Sequence, residues 1–141
     1  MKQIDRRAYF MGRDRQFPAD LTAEIDANSE ITIERANRLL TDAQAAGVEI
    51  EESPRTGAIV SSGWRPPSIN KNTTGAAPRS KHMTCEAVDI YDPDGALDDW
   101  CMDNLGALEA VGLWLEHPSA TKGWAHLQIV PPRSGKRVFY P

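Results

Sequence analysis

Apolar residues at Ile33, Ala36, Leu39, Leu40 and Ala43 recur at the spacing of one helix face and predict a helix over 32–46. Thr32 is placed to cap its start, Glu34 suits the first turn and Gly47 can end it. A second stripe of Leu97, Trp100, Cys101, Leu108 and Val111 predicts a helix over 96–111, capped by Asp94 or Asp92 and closed by Gly112. Cys101 then reads as a core thiol. Short β-type segments at 57–61, 87–91, 113–115 and 124–130 complete the pattern. The expected fold is α+β, a small antiparallel or mixed sheet flanked by helices.

Two stretches interrupt this pattern. Residues 65–81, with Pro66, Pro67, Gly75 and Pro78, read as a long loop without regular secondary structure, and loops of that length are often functional. The tail 131–137 is equally rich in breakers and ends in Val138-Phe139-Tyr140, which is expected to dock on the body. A chain of 141 residues can bury about two-thirds of its surface, so one domain over 1–141 is expected, with an arm (1–20) and a tail (131–141) packed on it. Trp64, Trp100, Trp114 and Trp124 read as core and cleft walls rather than as a sugar-stacking platform.

Charge narrows the classes of partner. A net charge of −4 supplies no general reason to bind nucleic acid or an anionic membrane, and no apolar run is long enough for a membrane span. Residues 1–20 lack the apolar run of a signal peptide, so synthesis in the cytoplasm is expected. A monomer is expected as well. Arg55, Arg65, Lys71, Arg79 and Lys81 make 53–85 basic, whereas 86–116 holds acidic residues and no Lys or Arg. This segregation fits two solvated faces, or a cleft with a basic wall for an anion and an acidic wall beside a metal.

On the strand at 87–91, Val88 and Ile90 take one face and Asp89 the other. On 124–130, Ala125, Leu127 and Ile129 share one face, leaving Trp124, His126 and Gln128 opposite. With His82 in the preceding loop, two histidines and a carboxylate can converge, a usual three-ligand set for catalytic zinc with water in the fourth position. The same residues also read as a core histidine and a strand-end aspartate, because the spacing alone has little specificity.

Ser80-Lys81-His82-Met83-Thr84-Cys85-Glu86-Ala87-Val88-Asp89 resembles the S-x-H-x-x-G-x-A-x-D signature of zinc D-Ala-D-Ala carboxypeptidases and related murein peptidases, whose superfamily includes lysostaphin-type enzymes and the hedgehog signalling domain. Ser61-Ser62-Gly63-Trp64-Arg65-Pro66-Pro67 resembles their upstream S-G-Y-R-S/P-P block, and Trp124-Ala125-His126 their closing W-x-H block. The resemblance implies zinc on His82, Asp89 and His126, and Arg65 as the cation for a substrate carboxylate or carbonyl. It also implies Ser80 and Gln128 as substrate-side residues, and a peptidoglycan stem peptide as substrate. A short single-domain chain resembles the bacteriophage members, which act on the wall after release or as part of a virion.

Two positions depart from the family pattern. Cys85 stands where glycine is usual, which leaves a His82/Cys85 metal pair open. Gly123 stands three residues before His126, where the family carries its acidic general base. Glu116 is the nearest upstream carboxylate and becomes the candidate base, with His117 as substitute or oxyanion stabiliser. The missing acid equally fits a zinc-stabilised binding or virion-structural module that has lost catalysis.

Overall fold

A computed structural model describes residues 1–141. Its core element is a five-stranded mixed sheet in the order β1-β2-β4-β3-β5, formed by β1 (Val60–Ser62), β2 (Ala87–Asp92), β3 (Trp114–Glu116), β4 (Gly123–Gln128) and β5 (Val138–Phe139). All pairings are antiparallel except that of β3 with β5. The six α-helices are α1 (Arg6–Phe10), α2 (Arg13–Gln16), α3 (Ala23–Ala45), α4 (Pro67–Lys71), α5 (Ala96–Asp103) and α6 (Leu105–Val111). The expected α+β class is therefore the observed one.

One sheet face is apolar because strand residues alternate sides. Val88, Ile90, Leu115, Ala125 and Leu127 are buried in one cluster with Ala36, Leu39 and Leu40 of α3, Leu97 and Cys101 of α5, and Leu108 of α6. Helix α3 packs on β2 and α6, while α5 packs on β2 and β4. Helices α3, α5 and α6 thus occupy one side and leave the opposite face of the sheet for chemistry.

The helix expected from 32 begins nine residues earlier. Thr22 caps it by accepting the Ile25 amide, and Glu24 and Asp26 complement the helix dipole in the first turn. The buried stripe in its first half uses small polar residues that satisfy themselves. Ser29 donates to the Asp26 carbonyl, and Thr32, far from being a cap, donates to the Cys85 carbonyl across the core. Such a face carries no apolar periodicity, although it is buried.

The helix expected over 96–111 is two helices, broken at Asn104 (φ −134°, ψ 52°), whose side-chain amide donates to the Trp100 carbonyl. Of its two candidate caps, Asp92 is the one used, accepting the amides of Leu97 and Asp98. The stretch 65–81 also contains a helix, α4. The prolines that argued against regular structure start it, since a proline at the first helical position has no amide to satisfy.

Both chain ends fold onto the body. Tyr9 and Phe10 of α1 are fully buried, the Tyr9 hydroxyl donates to the Ala87 carbonyl, and Phe10 packs edge-on against Trp64. At the other end Arg137 donates to the Leu113 carbonyl and lies over the Trp114 ring, which sets β5 against β3. Trp64 is fully buried, whereas Trp100, Trp114 and Trp124 are partly exposed. No helix is long and apolar enough to cross a membrane.

Asp98, at the start of α5, is buried with one carboxylate oxygen lacking any partner and the other accepting from Thr121. Burial, then the charges of Asp92, Asp99 and Glu116, push its pKa up to about 7. The folded protein therefore holds a proton that the unfolded chain releases, and stability falls as pH rises from about 4 to about 7. Asp98→Asn should be more stable than the parent at pH 8, by about 2–4 kcal/mol, and equal to it near pH 4. Thermal melts at the two pH values check this, and a parent melt that does not move between them would refute it.

Candidate metal and active site

Ser80 begins the site. Its hydroxyl accepts the His82 amide and caps a 3-10 turn, Lys81–Thr84, which ends at Cys85 in the left-handed conformation (φ 59°). That conformation explains why glycine is the usual residue there. Cys85 adopts it by turning its thiol into the hydrophobic core, where burial pushes its pKa up to about 12. It is thereby removed from the candidate ligands, and both Cys85 and Cys101 are free, buried thiols.

The turn aims His82 at Asp89 on β2, and β2 pairs Asp89 directly with His126 on β4. The ligand atoms of His82, Asp89 and His126 lie within 4.8 Å of one another, and all three side chains are buried. His82 Nε2 is 3.2 Å from Asp89 Oδ1, and His126 Nδ1 is 2.8 Å from the same oxygen. Burial raises the cost of charge on Asp89, but His82 and His126 outweigh it and hold the carboxyl well below the usual carboxylate range. Burial likewise lowers the pKa of His82, against the pull of Asp89, whereas for His126 the bond to Asp89 overcomes burial and favours the cation.

The donor set fits a metal on an observation internal to the site. Gly63 offers a carbonyl to His82 Nδ1 at 2.8 Å, and a carbonyl only accepts, so Nδ1 carries the ring proton. Nε2 then presents a lone pair to a carboxylate oxygen, and it is a buried atom without a hydrogen-bond partner. Two acceptors facing each other in a buried site call for a cation between them. At His126 the Gln128 amide donates its N–H to the Val130 carbonyl, which turns its oxygen toward His126 Nε2 at 3.0 Å. That geometry leaves His126 Nδ1 as the ligand atom.

The sheet register explains the position of Glu116. Trp114 pairs with Gln128 and Leu115 with Leu127, so the next position sets Glu116 beside His126, while on its other side Glu116 pairs with Phe139. Ser62, Asp89, His126, Glu116 and Phe139 thus form one row across all five strands. Glu116 lines the same cleft as the three candidate ligands and is half-buried, so burial raises its pKa, against the attraction of His126. Gly123, by contrast, lies at the far end of β4 opposite Asp92.

The cleft encloses about 490 Å³. Arg65, Arg79 and Lys81 stand on its basic side, Asp89 and Glu116 on its acidic side, and Trp124 and Phe139 add aromatic walls. Arg65 donates to Ser80 and keeps a buried Nε without a protein partner. Gln128 lines the cleft as well, with its amide committed to His126 and Val130.

His117 is not brought to this site. It follows Glu116 on the opposite side of the strand, takes the Ser119 amide on Nδ1, and stacks on Tyr140 with ring centroids 4.4 Å apart. Strand alternation, which aims Glu116 inward, aims its neighbour away. Two contributors were not singled out from sequence. Gly63 was quoted only as part of a block, although a glycine between the strand and Trp64 signals a close backbone approach. Phe139 carried only the signal of an apolar triplet after a breaker-rich tail.

If Gln128 fixes the His126 ring, Gln128→Leu should weaken metal binding about 10–100-fold, and Gln128→Glu should restore it. Competition against a chromogenic chelator measures this, and equal affinity in the Leu variant would dismiss the role.

The family model described as Peptidase M15 matches residues 19–105, which include Arg65, Ser80, His82 and Asp89 and stop short of Glu116 and His126. No curated protein and no solved structure matches the chain significantly. The match covers more than half of the sequence, and the chain belongs to the peptidase M15 family.

Proposed function

We propose that this protein is a zinc peptidase that cleaves a peptide bond, one involving a D-amino acid, in the stem peptides of bacterial peptidoglycan. The observation that carries the reading is the cross-strand row that lays Asp89, His126 and Glu116 side by side on the floor of a cleft closed by Arg65. Family membership supports the peptidase class, and the motif resemblance supports the substrate.

His82 through Nε2, Asp89 through Oδ1 and His126 through Nδ1 would hold the zinc, a nitrogen and oxygen donor set that leaves a position open. Zinc so held supplies Lewis acidity toward the scissile carbonyl and lowers the pKa of the attacking water. Glu116 accepts the proton of that water and returns it to the leaving amine, a role that needs a half-buried carboxylate beside the reacting atoms. Arg65 offers its planar guanidinium to an anionic group of the peptide, held in position by Ser80. Trp124 and Phe139 limit water at the reacting bond. Action on the wall follows release of the protein from the cell that makes it or delivery on a virion.

Elemental analysis combined with digestion of purified murein tests the proposal. Near-stoichiometric zinc is expected, with cleavage that a chelator abolishes and zinc return restores, and mass spectrometry of the products identifies the bond. Bound zinc without any new peptide product would overturn the enzymatic reading.

A further inference from the structure

Arginines outside the cleft form a second feature that the mechanism does not use. A groove of roughly 650 Å³ opens between the α1–α2 arm and the turn before β1, lined by Arg7, Arg15 and Arg55. Its single carboxylate, Asp5, already accepts the Ala8 amide as the cap of α1. Of all the arginines only Arg6 makes an ion pair, with Asp26. Arg7, Arg13, Arg15, Arg55 and Arg65 have none.

The groove connects to the cleft along one stretch of main chain. Arg55 donates to the Ser61 carbonyl, Arg13 donates to the Trp64 carbonyl at 2.9 Å, and Arg65 is the next residue. In the same stretch the Gly63 carbonyl holds His82, so the row of guanidinium groups ends at the wall of the candidate metal site. Arg13 is only partly exposed, and burial, then the like charges of Arg65 and Arg55, press on it with no carboxylate in compensation. The fold keeps these charges together without offering them a carboxylate, which is how an anion-binding surface is built.

We propose that Arg55 and Arg13, extended by Arg7 and Arg15 in the groove, bind side-chain carboxylates of an acidic peptide whose scissile bond lies in the cleft. The inference rests on the peptidase reading above. Planar guanidinium groups pair with carboxylates through two parallel hydrogen bonds. The anchoring carbonyls, Ser61 and Trp64, precede Arg65 in one short stretch of chain, so a peptide that leaves the cleft past Arg65 meets these guanidinium groups next. The net charge of −4 gives a nucleic-acid strand no general attraction beyond the groove itself.

Fluorescence anisotropy with the 141-residue protein tests this without requiring turnover. The probes are a labelled glutamate-rich peptide, the same peptide with glutamines, and an oligothymidylate. The acidic peptide is expected to bind about tenfold more tightly than its glutamine counterpart, and the Arg15→Gln/Arg55→Gln double variant should lose that preference. Both replaced residues are exposed, and a melting curve confirms that the variant folds. Equal binding of the two peptides, a preference that survives the double variant, or arginine-dependent binding of oligothymidylate alone would each overturn the proposal. Murein digestion by the same proteins separates the two readings. Cleavage with no arginine-dependent preference removes the row and leaves the peptidase. Preference with no cleavage by the zinc-loaded parent removes the peptidase and leaves an acidic-peptide surface.

Discussion

Glu116→Gln is expected to lower turnover by about 10²–10⁴-fold, the usual contribution of a positioned general base, while metal content stays unchanged. Glutamine keeps the volume and the hydrogen-bonding reach of the side chain and removes only its capacity to take a proton. Metal content should hold because the three ligand atoms belong to His82, Asp89 and His126, and Glu116 is their neighbour across the β3–β4 ladder. Turnover should fall because no other acidic side chain lines the cleft except Asp89, which is committed to the two histidines. Kinetics on a defined stem peptide, with zinc quantified in the same sample, reads both properties. A variant that turns over like the parent would remove Glu116 from the mechanism.

Gly63→Ala should damage the site from a distance. A Cβ at residue 63 would lie 1.9 Å from the Tyr9 carbonyl oxygen and 2.8 Å from its carbon, both backbone atoms. Tyr9 cannot step aside cheaply, since its ring is fully buried, its hydroxyl is bound to the Ala87 carbonyl, and its own carbonyl accepts the Trp64 amide. The strand end carrying residue 63 must therefore shift, and the carbonyl that sets the His82 tautomer shifts with it.

A stability loss of about 1–3 kcal/mol follows from overpacking, together with about 10–100-fold weaker metal binding from the lost orientation of His82. Gly106→Ala supplies the control, since that glycine lies exposed on α6 with nothing near a new Cβ, and alanine there should stabilise by about 0.5–1 kcal/mol. Thermal melts and chelator competition on the two variants measure both effects. Parent-like metal affinity in Gly63→Ala would show that His82 is oriented by something other than the Gly63 carbonyl.

These two residues illustrate what kind of information each level carries. His82, Asp89 and His126 could be named from sequence because a strand's alternation and a short motif are local. The departures at Cys85 and Gly123 were equally visible, but their meaning was not. Cys85 is tolerated because it can hold a left-handed backbone conformation while its thiol joins the core. Gly123 lies at the far end of β4, whereas the carboxylate beside His126 in the cleft, Glu116, stands on the neighbouring strand.

Local patterns also failed in specific ways. Polar residues that satisfy one another, Ser29 and Thr32, hid the first half of α3, and prolines concealed α4 by marking both a breaker and a helix start.

What the chain determines by itself is the periodic part of the fold, the apolar face of the sheet and the identities of the three candidate ligands, since these depend on residues within one element or one motif. Tertiary structure decided that Glu116 lines the cleft and His117 does not, that Gln128 is turned toward the His126 ring, and that Gly63 and Phe139 contribute to the site. Register between strands is a long-range property: pairing β3 with β4 converts a ten-residue separation of Glu116 and His126 into a neighbour contact across the sheet, and only the packed fold sets that pairing.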